Sequence, residues 1–249
     1  DESNLAINAN VSFAGAFTSS YGADGAGTTT YALTVSAAGV DSGLDDSALG
    51  SNILLFLEGG NVVGRVGSET GAVSFTVSVN ASGEVNLDQQ RAIMHTPNSG
   101  PNQEASLASA NLVQLTATIT DRDGDSDSAT INLGHAISFR DDGPNISATT
   151  AVNDRLQVDE SDLATNATVT FAGLFTGSDG ADGAGTTTYA LNVSAAGVDS
   201  GLDDSATGSN ILLFNEAGVI VGRVGNAGGA VSFTVSVNAS GQVTLDQQQ

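Results

Sequence analysis

Strict alternation of apolar and polar positions recurs along the chain. Over residues 72–80, Val73, Phe75, Val77 and Val79 point one way while Ser74, Thr76 and Ser78 point the other. Val113, Leu115, Ala117 and Ile119 alternate in the same manner with Gln114, Thr116, Thr118 and Thr120. A period of two is the signature of a strand that buries one face. Further strands are predicted at 11–17, 28–36, 52–57, 62–66, 84–87 and 129–139, separated by clusters of Gly, Asn, Asp and Ser that favour turns. Short strands at this spacing predict an all-β fold built as tandem antiparallel β-sandwich repeats, Ig-like or cadherin-like in kind.

The pattern repeats. Setting Asp1 over Asp159 aligns residues 1–91 with 159–249 without a gap, and 72 of the 91 positions are identical. A period of 158 residues is long enough for a unit that buries its own core, unlike the short units of solenoids. The expected organisation is one full β-sandwich repeat at 1–143, whose last strand is stopped by Asp141-Asp142-Gly143-Pro144, a linker at 144–158, and a partial second repeat at 159–249. Near-verbatim copying multiplies length or valency and argues against a unique active site, so the chain is expected not to be an enzyme.

Charge adds the next constraint. Twenty-eight acidic residues face six basic ones, a formal net charge of -22. Nucleic acid and anionic membranes need a basic surface, so neither is an expected partner; cations are. With no Cys there is no disulfide and no thiolate metal site. No run of about 18 apolar residues is present for direct membrane insertion, and residues 1–20 lack signal-peptide character, so the chain reads as an internal segment.

The acidic residues are clustered. Asp121, Asp123, Asp125 and Asp127 alternate through a turn between two predicted strands, with Gly124 allowing the bend. Hard oxygen ligands in a flexible loop suit Ca2+, and the spacing is not that of an EF-hand, since position twelve is Asn132. Carboxylates roughly 5 Å apart repel by about 3 kcal/mol at an effective dielectric near 20. Several uncompensated pairs would rival a domain's whole stability of about 5–15 kcal/mol. The bland alternative is a solvated acidic hairpin turn.

A second candidate is the junction, where Asp141 and Asp142 with Asp159 and Glu160 could clamp a cation between neighbouring repeats, against the alternative of a polar linker turn. The Gly-rich loops at 21–25 and 178–183 read as turn chemistry, and Asp41, Asp45 and Asp46 as a loop with room for an ion. His95 and His135 each stand alone and read as surface histidines, which leaves no zinc site or catalytic triad. Arg65 and Arg223, at matching places, are each expected to pair with a carboxylate.

The run 112–127, the closing Asp141-Asp142-Gly143-Pro144, the opening Asp-Glu-Ser-x-Leu at 1–5 and 159–163, and the run 189–202 resemble tandem repeats of RTX-type giant adhesins of Gram-negative bacteria. The resemblance implies β-sandwich extenders that bind calcium in loops and linkers and project a distal binding region, which itself engages a host or surface ligand, away from the cell. It also implies type I secretion, an extracellular place on the bacterial surface, and a part in adhesion and biofilm formation. The Gly-Gly-x-Gly-x-Asp nonapeptide of that family's secretion β-roll is absent here. Two other functions remain open on the sequence: a calcium-dependent glycan-binding adhesin module, against which the scarcity of aromatics counts, and a subunit of a surface filament.

Overall fold

Pairing of the alternating segments is seen in a computed structural model that describes residues 1–23, 25–97, 100–149 and 155–249. The chain divides into two units, Asp1–Asn145 with Asp179–Ala184, and Ile146–Ser178 with Gly185–Gln249. Both are built of antiparallel strands, and no α-helix occurs among the described residues.

The first unit holds β1 (Ala9–Ser12), β2 (Thr28–Val35), β3 (Val40–Asp45), β4 (Asn52–Glu58), β5 (Asn61–Val66), β6 (Val73–Val79), β7 (Glu84–Gln89), β8 (Glu104–Ser106), β9 (Val113–Thr120), β10 (Ser126–Asn132) and β11 (Ser138–Arg140). A six-stranded sheet runs β1-β7-β6-β5-β4-β3, and a three-stranded sheet β10-β9-β2 and a pair β11-β8 complete the sandwich. Register explains the alternation. Leu115 stands between Leu33 and Ile131, and this row faces the core. Thr118, between Thr30 and Ser128, belongs to the opposite face, where hydroxyls line the outer surface. Across the core β2 packs over β4, β5 and β6, and Phe139 of β11 meets Phe75 of β6 with ring centroids 4.9 Å apart.

Several boundaries differ from the sequence reading. The strand expected at 129–139 is two strands, because Gly134 sits in a tight turn where a Cβ would lie 2.2 Å from the Ser109 carbonyl oxygen. Strand β3 stands where a loop is expected around Asp41 and Asp45; its polar Asp-Ser-Gly segment contains a bulge, and Gly43 takes φ +78° where a Cβ would strike Ala108. The strand expected at 11–17 is Ala9–Ser12 followed by a 3-10 turn at Ala14–Ala16.

The second unit contains β12 (Asn145–Ala148), β13 (Ala167–Thr170), β14 (Phe175–Ser178), β15 (Val198–Asp203), β16 (Asn210–Glu216), β17 (Val219–Val224), β18 (Val231–Val237) and β19 (Gln242–Gln247). Its sheet β13-β19-β18-β17-β16-β15 repeats the order of the first. Strand β12, which pairs with β14, lies in the stretch read as a linker; residues 150–154 of that stretch fall outside the described residues.

The two copies diverge in one instructive place. Residues 186–193 match β2 at all but one position yet form no strand. In the first unit β2 is hydrogen-bonded to β9, and among the described residues no strand of the second unit pairs with residues 186–193. Strand formation here is set by the partner, not by local propensity. A cavity of about 610 Å³ on the second unit is lined by Leu202, Phe233, Val235 and Leu245. Leu202 is 54% exposed, whereas its counterpart Leu44 is 3% exposed.

Candidate metal sites

The first site is assembled from both ends of the first unit. Asp1 caps a 3-10 turn at Glu2–Asn4, its Oδ1 accepting from the Ser3 amide and hydroxyl. The turn directs Glu2 inward, and at 2% exposure its carboxylate is almost sealed from water. Oε1 accepts from Gln89 Nε2 at 2.7 Å and from the Ile93 amide at 2.8 Å, while buried Oε2 has no hydrogen-bond partner. Burial pushes the Glu2 carboxyl up to about 7, against the hydrogen bonds from Ile93 and Gln89 that favour its ionised form.

Strand β11 ends at Arg140 and delivers Asp141 to the same place, held there by its amide donating to the Gln103 carbonyl at 2.8 Å. Asp142 accepts from the Ala181 amide at 3.1 and 3.3 Å, which anchors the loop carrying Asp182. One carboxylate oxygen from each of Glu2, Asp141, Asp142 and Asp182 lies within 4.8 Å of the others. Ca2+ takes oxygen ligands at 2.3–2.6 Å, so ligands on opposite sides of the ion are about 5 Å apart and this cage has the right size. Four carboxylates, some bidentate, with water reach the six to eight oxygens the ion requires.

His95 borders this cage and is not at the surface, as its isolation in the sequence had suggested. It is 8% exposed, with Nδ1 3.5 Å from Asp141 Oδ1 and Nε2 3.3 Å from the Phe139 carbonyl oxygen. Nδ1 makes no aligned hydrogen bond. His135 is exposed.

The second site is the acidic turn. Asp121, Asp123 and Asp125 converge, and Asp127 stands outside the group, its Oδ1 accepting from the Ser128 amide. Asp121 Oδ1 accepts from the Gly124 and Asp125 amides, and hydrogen bonding by Asp123, then by these amides, lowers the Asp121 carboxyl below its ordinary value. All of it is open to water, with no orphaned atom inside, so the turn stabilises itself through its own backbone.

The remaining acidic residues are engaged elsewhere. Asp159 repeats the role of Asp1, accepting from the Ser161 amide and hydroxyl, which lowers its carboxyl. Glu160 lines the cavity of the second unit. The sequence reading grouped Asp141 and Asp142 with Glu160, but it is the equivalent Glu2 of the first copy that joins them, because β11 returns to the start of its own sandwich. Asp182, read as turn chemistry, completes the group. Its copy-one counterpart Asp24 lies outside the described residues.

Asp41 is taken up by the Gly43 amide and Asn52 Nδ2, and Asp46 by Arg91 at 2.6 and 3.0 Å, so neither keeps a carboxylate oxygen free for an ion. Arg65 and Arg223 each grip a carboxylate, Glu58 and Glu216, through two nitrogens. Glu2 was findable from the sequence as the copy of Glu160. His95 and Asp182 carried no signal beyond their presence.

Residues 1–134 and 155–249 match the family described as domain of unknown function (DUF5801). The chain belongs to that family. Both copies of the repeat are thus matched, and Glu2, His95 and Asp182 lie inside the matched spans, while Asp141 and Asp142 lie between them. No curated protein and no solved structure matches the chain.

Proposed function

We propose that the chain is a calcium-stabilised structural extender repeat of a large bacterial surface adhesin, placed outside the cell and without catalytic activity. The observation that carries the reading is Glu2 Oε2, a buried carboxylate oxygen with no partner, in a side chain grouped with Asp141, Asp142 and Asp182. An isolated buried charge is costly enough that the group either takes up a proton or gains a cation. Four carboxylates at one point favour the cation.

All four ligands lie within the first unit, Asp182 in its segment Asp179–Ala184, so one ion bound here fastens the start of that unit, the end of β11 and this segment to one another. Millimolar calcium outside the cell saturates sites with Kd near 10⁻⁴–10⁻³ M. Binding confined to the folded form raises its stability by mass action. Chelation followed by thermal melting and small-angle scattering tests this: with calcium, Tm rises and the maximum dimension becomes fixed; an unchanged Tm and an unchanged scattering curve contradict it.

A further inference from the structure

The calcium cage has a second compartment. Glu2, His95 and Asp141 also offer one ligand atom each within 4.8 Å of one another, and all three side chains are buried. His95 Nε2 faces the Phe139 carbonyl, which can only accept, so Nε2 is the donating nitrogen of that contact and Nδ1 is the ring nitrogen left for the site. Nδ1 stands 3.5 Å from an Asp141 oxygen without an aligned hydrogen bond. Two buried atoms without a hydrogen-bond partner, His95 Nδ1 and Glu2 Oε2, thus belong to one buried group of three metal-binding side chains.

We propose that a second divalent cation of the transition-metal class, Zn2+ in the first instance, binds Glu2, His95 and Asp141 next to the calcium ion, with Glu2 and Asp141 shared between the two. The inference rests on the calcium reading for its neighbour ion. Ligand chemistry separates the compartments: imidazole nitrogen suits zinc, while an all-carboxylate cage suits calcium. The geometry fits as well, since tetrahedral bonds of 2.0–2.1 Å place neighbouring ligand atoms about 3.4 Å apart. The back-side contact of Nε2 with a backbone carbonyl is the usual support of a metal-bound imidazole. Charge closes the account, because four carboxylates are half neutralised by one dication and fully neutralised by two.

The test is titration of the calcium-saturated full chain with Zn2+ by calorimetry, with calcium and zinc content read by elemental analysis. One zinc per chain is expected, with no calcium released. His95→Asn lowers zinc affinity at least about 100-fold and keeps calcium binding, whereas exposed Asp182→Asn weakens calcium and keeps zinc. Should His95→Asn fail to fold, the ¹⁵N shift of wild-type His95 Nδ1 on zinc addition decides, and an unmoved Nδ1 overturns the inference. Absence of zinc uptake with calcium still bound overturns it alone, as does zinc that enters only by expelling calcium. Absence of calcium binding overturns the underlying reading, and a zinc isotherm retained in that case but lost in His95→Asn still identifies His95 as a ligand.

Discussion

The Ile93 amide donates to Glu2 Oε1 at 2.8 Å, joining residues 91 positions apart. That bond and the one from Gln89 hold the Glu2 carboxyl in a buried place, where burial disfavours its ionised form. In the metal-free chain Glu2 keeps a proton in the folded state up to about pH 7 that the unfolded chain releases near 4.5. The associated stability is therefore complete below about pH 4.5 and is lost as pH rises to about 7, an effect on the order of 3 kcal/mol. Chemical denaturation in chelator at pH 5 and pH 7.5 should show the chain weaker at the higher pH. Glu2→Gln, which keeps an acceptor for Ile93, should remove that difference and with it the stabilisation by calcium.

Asp46 behaves in the opposite sense. Its side chain is buried and clasped by Arg91, whose hydrogen bonds lower the carboxyl against the effect of burial. Stability from this pair is present above the ordinary value of 3.8 and falls as acid titrates the lowered carboxyl, so its pH window lies below about 4, apart from that of Glu2. Arg91→Ala leaves a buried carboxylate without its cation and should cost about 2–4 kcal/mol at pH 7, measured by urea denaturation. The second copy carries Gln249 at the equivalent position; there Asp204 keeps the bond from the Thr207 amide that Asp46 receives from Leu49, and takes the Thr207 hydroxyl where Asp46 has Arg91.

Hydrogen exchange should separate two nearly identical segments. Amides of Thr28–Val35 that bond to β9 are expected to be protected, while those of residues 186–193 exchange faster by orders of magnitude. Equal protection in both copies would contradict the partner-dependence of this strand.

The long alternating segments were legible in the sequence because one face of each is buried: β6 and β9 are where the period of two placed them. Shorter elements were not, since β8, β11 and β12 of three or four residues carry too little pattern to reveal a period. The acidic positions 141 and 142 could be singled out by their crowding in the sequence. Their partners could not, because Glu2 and Asp182 reach them only through the return of β11 and the Ala181–Asp142 contact. His95 looked solitary for the same reason: its neighbours Glu2 and Asp141 are 93 and 46 residues away along the chain.

The most direct measurement is an anomalous difference map from crystals grown with millimolar calcium. A calcium peak bounded by Glu2 Oε2 and oxygens of Asp141, Asp142 and Asp182, at 2.3–2.6 Å from each, is the expected result. A map without that peak, with Asp182 turned into solvent and a protonated Glu2 hydrogen-bonded to a neighbouring carboxylate, would contradict it.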